Sequence, residues 1–131
     1  MIYFQCDYEE GCHPAILKRL NETNLEQTVG YSMDPYCASA REKIKKVVGR
    51  PDADVHFLVG GTQTNMTVIA AALKPWQGAI CADTGHIACH ETGAIEATGH
   101  KVLALSSEDG KITAAQIEET VKKHYEDGSR E

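Results

Sequence analysis

The sequence predicts an α/β fold in which helices flank a mostly parallel sheet. Apolar segments of four or five residues alternate along the chain with longer segments of helical periodicity, the order typical of parallel sheets. The first two apolar segments contain almost no polar residues, as expected of strands that are covered on both faces. We therefore predict three strands, at residues 55–59, 79–82 and 101–105.

Proline, glycine and capping residues mark the ends of the helices between these strands. Pro14 suits the first position of a helix over residues 14–20. Asp34 and Pro35 form an N-cap and first-position pair for a helix over 35–48, which Gly49 ends. A third helix is predicted to begin within residues 62–65 and to stop before residue 75. A Thr-x-x-Gln capping box at 113–116 opens the last helix, which continues to about residue 125.

Composition describes an ordinary globular chain with an acidic balance. Its 131 residues carry a net charge of −6, which argues against nucleic acid or an anionic membrane as the main partner. No apolar run approaches the ~20 residues of a transmembrane helix, and the N-terminus has no signal-peptide pattern. The five cysteines lack C-x-x-C spacing, so we expect reduced thiols and a cytoplasmic location.

A diglycine turn after the first predicted strand is a candidate anion site. The first turn of a helix has unpaired N–H groups and a partial positive charge, and Gly60 and Gly61 let an anion approach the backbone closely. The alternative is a tight turn with Thr62 as an ordinary N-cap. Spacing alone leaves both open, because the segment is neither G-x-G-x-x-G nor a Walker loop.

A histidine follows the second predicted strand, at the strand end where ligands of open α/β sheets bind. If residues 87–97 are helical, His86 and His90 share a face and could bind zinc with Cys89 or Glu91. The H-E-x-x-H motif is absent, however, and no second ligand cluster follows, so we predict no metal. Two other roles for His86 remain besides zinc binding. It could pack against its neighbours or cap a helix, or it could stack on a flat aromatic cofactor.

Longer motifs resemble a known family. GGTQTN, beginning at Gly60, and ADTGHIACHETGAIEATGHKV, beginning at Ala82, resemble the threonine aldolase branch of the β-eliminating lyases. Upstream, Cys6-Asp7 resembles the Ser-Asp pair of that family, and the segment from residue 30 to residue 35 resembles its Gly-Tyr-Gly-x-Asp-Pro loop. The motifs occur in the family's order over residues 7–125.

The resemblance implies an aspartate aminotransferase-like, fold-type I domain that depends on pyridoxal 5'-phosphate (PLP). It implies that backbone N–H groups of Gly61, Thr62 and Gln63 hold the phosphate. It also implies that His86 stacks on the pyridine ring and assists proton transfer, directly or through water.

The resemblance places a second group of residues around the amino acid substrate. Cys6, Asp7 and Tyr31 would line that pocket, although a thiol at Cys6 is a weaker donor than the family's serine hydroxyl. His90 and Glu91 would contact the residues that bind the ligand without touching the ligand themselves. Packing alone is an equally good explanation for both.

The implied reaction is retro-aldol cleavage of a β-hydroxy-α-amino acid such as threonine or allo-threonine to glycine and an aldehyde. The family's cofactor-binding lysine lies downstream of anything here, and none of the nine lysines has such a setting. We therefore interpret the chain as the N-terminal part of a PLP-binding domain. It comprises an arm (1–12), two helices with a loop (13–50) and a βαβαβα portion (51–131).

We expect this part to be inactive alone and the complete protein to be a homo-dimer or homo-tetramer. Two alternatives remain. Another fold-type I PLP-dependent β-eliminating lyase would share the phosphate turn, and a non-catalytic α/β module could use the turn or the histidine pair to bind phosphate or a metal.

Overall fold

The structure, a computed structural model, describes Cys6, Tyr8 and residues 10–126. By its internal contacts the chain divides into two units, Met1–His56 and Phe57–Glu131. Most of the predicted arm at residues 1–12 lies outside the described residues.

The first unit contains helices α1 (Pro14–Thr23) and α2 (Pro35–Val48). Both begin with proline, and Asp34 Oδ1 caps α2 by accepting the Cys37 N–H at 2.8 Å. Gly49 ends α2 in the left-handed conformation, with φ +69°. The predicted bounds of α2 are confirmed, and α1 runs three residues further than predicted.

The second unit contains helix α3 (Gly61–Ala72), strand β1 (Ala79–Ala82), helix α4 (His86–Cys89), strand β2 (Val102–Leu105) and helix α5 (Ala114–Glu126). The two strands are parallel, with Ala79 opposite Val102 and Ala82 opposite Leu105. The capping box of α5 forms as predicted, because Thr113 N–H donates to Gln116 Oε1 and Gln116 N–H donates to Thr113 Oγ1. The predicted α/β class is confirmed.

The strand predicted at residues 55–59 is wrong. The segment is irregular, and Val59 is 96% exposed. Its β-branched and aromatic residues favour an extended conformation, but a strand also needs a neighbour for its backbone hydrogen bonds. In the described part of the chain the two strands pair with each other, so no partner is available to this segment.

A continuous helix over residues 87–97 is wrong as well. Helix α4 ends at Cys89, and Thr92 and Gly93 then adopt φ angles of +52° and +75°. Two successive left-handed residues cannot continue a right-handed helix, so the chain turns here. Ile95, two residues after Gly93, is fully buried.

Candidate functional site

The mouth of helix α3, meaning its N-terminal residues 60–63, has the open backbone that an anion site requires. Gly60 is the N-cap residue and no side chain of the described residues caps this end. The Thr64 N–H bonds to Gly60 O at 3.0 Å, and the N–H groups of residues 61–63 precede the first intrahelical bond. A Cβ atom added at Gly60 or Gly61 would meet no described atom within 4 Å. The backbone is therefore accessible to a ligand.

Thr62 is not the N-cap, which excludes the plain alternative for this turn. The side chains of its neighbours are engaged elsewhere: Gln63 Oε1 accepts the Val59 N–H at 2.8 Å, and Thr64 Oγ1 donates to Gly60 O at 2.9 Å. Gln63 thus offers its backbone N–H to an anion while its side-chain oxygen holds the incoming chain.

A close backbone approach at Gly85 sets His86 at the carboxyl end of β1. The Gly85 N–H donates to Ala82 O at 2.8 Å. A Cβ atom at Gly85 would lie 2.8 Å from the same oxygen and 3.2 Å from Cys81 Cβ, so glycine is required. This tight turn places His86 one residue later, at the first position of α4.

A buried carboxylate joins the mouth of α3 to His86. Glu91 Oε1 accepts the Asn65 side-chain amide at 2.5 Å and lies 2.8 Å from His86 Nδ1. The Glu91 side chain is completely buried, whereas that of His86 is 61% exposed. One carboxylate oxygen therefore ties a residue of α3 to an imidazole that faces solvent.

Hydrogen bonding keeps this carboxylate ionised. The Asn65 amide, and then His86, lower the pKa of Glu91 below its ordinary value, against the opposing effect of burial. An ionised carboxylate only accepts hydrogen bonds, so Nδ1 of His86 is the donor in this contact. Nε2 is then the nitrogen available to a ligand when the ring is neutral.

We expect the replacement of Asn65 by alanine to raise the pKa of Glu91, because it removes the strongest hydrogen bond to the carboxylate. In the wild-type chain the depressed pKa of Glu91 stabilises the fold at pH values above the ordinary pKa of a glutamate. This contribution is lost as pH falls through the folded-state value. Titration of the Glu91 side-chain carbon by NMR measures the shift.

Asn21→Ala, on the exposed face of α1, is the matched control and is expected to leave the Glu91 titration unchanged. A Glu91 pKa that is the same in the wild-type and Asn65→Ala chains would contradict the hydrogen-bonding account.

The remaining predicted residues of the second unit lie beside this group. The rings of His86 and His90 are 5.4 Å apart between centroids and tilted by 51°. His90 follows α4 directly and is exposed. Within the described residues no three His, Cys, Asp or Glu side chains are arranged to hold a metal ion. The role predicted for His90 stays a prediction.

The substrate residues predicted from the upstream motifs belong to the first unit, and their roles also stay predictions. Asp7 lies outside the described residues, and Cys6 is half-buried. Tyr31 is fully exposed in a loop where it and Ser32 have φ angles of +58° and +60°. Arg41 holds this loop by donating to Ser32 O at 2.9 Å and to Val55 O at 3.1 Å.

Sequence reasoning missed Asn65. Its partner Glu91 is 26 residues away, and no local pattern links the two. The one signal was the position of Asn65 at the end of GGTQTN, where an amide in a largely apolar helix needs a partner if it is not exposed.

Comparisons with known proteins match the fold and nearly the whole chain. The β-eliminating lyase family model matches residues 8–129. Low specificity L-threonine aldolases of Pseudomonas sp. (strain NCIMB 10558) and Pseudomonas aeruginosa are each 29% identical over 125 residues, which is 94% of this chain and 36% of theirs. The solved structure of Leishmania major threonine aldolase is 48% identical, with a TM-score of 0.85, over 88% of this chain and 34% of that one.

The chain thus spans about a third of the length of these relatives. The resemblance read from GGTQTN and the histidine segment is confirmed, as is the predicted fold class, that of the PLP-dependent enzymes of fold type I. From the match over residues 8–129 and the shared fold, we conclude that this chain belongs to the β-eliminating lyase family.

Proposed function

We propose that this chain forms the phosphate-binding and ring-covering part of a PLP-dependent threonine aldolase. The observation that carries the proposal is the Glu91 oxygen shared by Asn65, near the mouth of α3, and His86. This contact supports a single site that includes the open helix mouth and the exposed imidazole. All three relatives above are threonine aldolases, which favours retro-aldol cleavage over β-elimination as the reaction.

The residues present fit a phosphorylated pyridine. Three successive backbone N–H groups at Gly61, Thr62 and Gln63 suit a phosphate, because the helix dipole alone contributes only ~0.3–1 kcal/mol and several donors must act together. The exposed His86 ring leaves a face for an aromatic partner. Glu91 Oε2 is buried without a hydrogen-bond partner among the described residues, so this region still has polar bonding capacity.

PLP, when bound, supplies an electron sink for the carbanion left at Cα. The chain's own residues would hold it and handle one proton. The N–H groups of residues 61–63 would hold its phosphate. His86 Nε2 accepts the proton of the substrate's β-hydroxyl, directly or through water, as the Cα–Cβ bond breaks and the aldehyde leaves. Glu91 holds Nδ1 and stabilises the imidazolium that results.

Catalysis needs a lysine that binds the cofactor covalently, and we propose that it lies outside this chain. The nine lysines are at positions 18, 43, 45, 46, 74, 101, 111, 122 and 123. None follows the Ser-Lys pattern of the family, so we expect no cleavage by this chain alone. We further propose that the complete enzyme is a homo-oligomer whose substrate pocket includes Cys6, Asp7 and Tyr31.

Two further observations bear on the setting of the protein. All five cysteines are free thiols, which supports our proposal of a reducing, cytoplasmic location. None of the helices in the described ranges has both the length and the apolar character needed to cross a bilayer.

The test is a hybrid enzyme in which this chain replaces the matching third of Leishmania major threonine aldolase. We expect the hybrid to bind PLP covalently and to release acetaldehyde from threonine, while this chain alone, which lacks the lysine, does neither at a measurable rate. A hybrid that folds and contains zinc but no PLP would support the alternative of a metal-binding module and contradict the proposal.

A further inference from the structure

Thr92 adopts a backbone conformation that its side chain disfavours. Its φ angle is +52°, in the left-handed region where β-branched residues are genuine outliers. The side chain is exposed, so burial of its methyl group does not compensate. Strain of this kind persists only where the surrounding structure enforces it, and it is concentrated at functional sites.

The strained residue directly follows the buried carboxylate. The Ala94 N–H donates to Glu91 O at 3.1 Å and closes a turn over residues 91–94. On one side of this turn stands α4 with His86, and on the other the fully buried Ile95. The left-handed residue Thr92 thus lies between two buried residues, Glu91 and Ile95.

We propose that Thr92 is a positioning residue whose left-handed conformation keeps the Glu91 carboxylate against His86 and so fixes the neutral imidazole as the Nδ1–H tautomer. A free imidazole side chain favours the Nε2–H form, so the carboxylate must reverse an intrinsic preference. A glutamate held loosely would populate both forms. The Glu91 carboxylate is restricted from two sides. The turn over residues 91–94 restricts its backbone, and the Asn65 amide holds its oxygen.

The inference rests on the proposed function in one respect. Only an Nε2 without a proton can accept the proton of a substrate hydroxyl. Fixing the tautomer therefore keeps the reactive nitrogen in its competent form before substrate arrives.

The test is the tautomer of His86 in the full 131-residue chain, free of ligand. Two-bond ¹H–¹⁵N correlation spectra distinguish the two ring nitrogens of a neutral imidazole. We expect the Nδ1–H form to dominate in the wild-type chain. In Thr92→Pro, whose ring fixes φ near −65° and so removes the left-handed conformation, the ratio of Nδ1–H to Nε2–H is expected to fall several-fold.

The matched control is Thr92→Gly, which adopts a φ of +52° without strain and is expected to leave the ratio unchanged. An Nε2–H tautomer in the folded wild-type chain would overturn the proposal. An equal ratio in Thr92→Pro and wild type would do the same, as would an equal fall in Thr92→Gly.

These failures are distinct from failure of the proposed function. A chain that binds a phosphorylated pyridine but carries the Nε2–H tautomer overturns only the role of Thr92. A chain with the expected tautomer and no such binding overturns only the cofactor site.

Discussion

Replacing His86 with alanine is expected to lower kcat of the hybrid enzyme for threonine cleavage by about 10²–10⁴-fold, the range for a positioned acid–base group. The reason is that the variant removes Nε2, the atom proposed to accept the β-hydroxyl proton. Cofactor affinity should fall as well, because the ring that covers the pyridine is lost. Steady-state assay of aldehyde release, with a PLP titration by absorbance, measures both.

His124→Ala is the matched control, since His124 lies on α5 and has no place in the proposed site. It should retain the turnover and cofactor affinity of the parent hybrid. If His86→Ala kept its full turnover and PLP affinity, the imidazole would have no role in the site.

Replacing Gly61 with proline is expected to weaken phosphate binding by about 10- to 100-fold. Proline is tolerated at the first position of a helix, where its missing N–H is not needed for helix bonds. The change therefore removes one donor to the anion while the helix remains. A hydrogen bond to a charged group contributes about 1.5–3 kcal/mol, and each ~1.4 kcal/mol is tenfold in affinity.

Gly61→Ala is the control, because it retains the N–H and its Cβ has open space. Calorimetric titration with pyridoxine 5'-phosphate should give an affinity within a few-fold of wild type for alanine and a large loss for proline. An equal loss in the two variants would mean that bulk at this position matters and the N–H does not.

Local chemistry could be predicted from the sequence wherever a few adjacent residues decide the structure. Asp34, Pro35 and Gly49 set the bounds of α2, and the Thr-x-x-Gln box set the start of α5. The segment at 79–82 is a strand as predicted. Each of these features depends on contacts within about four residues.

Features that depend on distant partners were beyond the same reasoning. Residues 55–59 have the composition of a strand but no strand beside them in the described part of the chain. The helix expected after His86 breaks at a left-handed threonine, which no residue preference anticipates. The contact between Asn65 and Glu91 spans 26 residues. For the candidate site, the motifs indicated His86, the helix mouth and Glu91, and the structure added the contacts of Glu91 with Asn65 and His86.

The proposals above all require that the mouth of α3 and His86 form one site for a phosphorylated pyridine. Its most direct test is an NMR titration of the ¹⁵N-labelled chain with pyridoxine 5'-phosphate, an alcohol that cannot react with lysine, against pyridoxine without phosphate. We expect saturable shifts of the Gly61, Thr62 and Gln63 amides together with the His86 ring, and much weaker binding of pyridoxine. Saturable binding that leaves these amides and His86 unmoved would contradict this expectation, as would shifts of the amides alone.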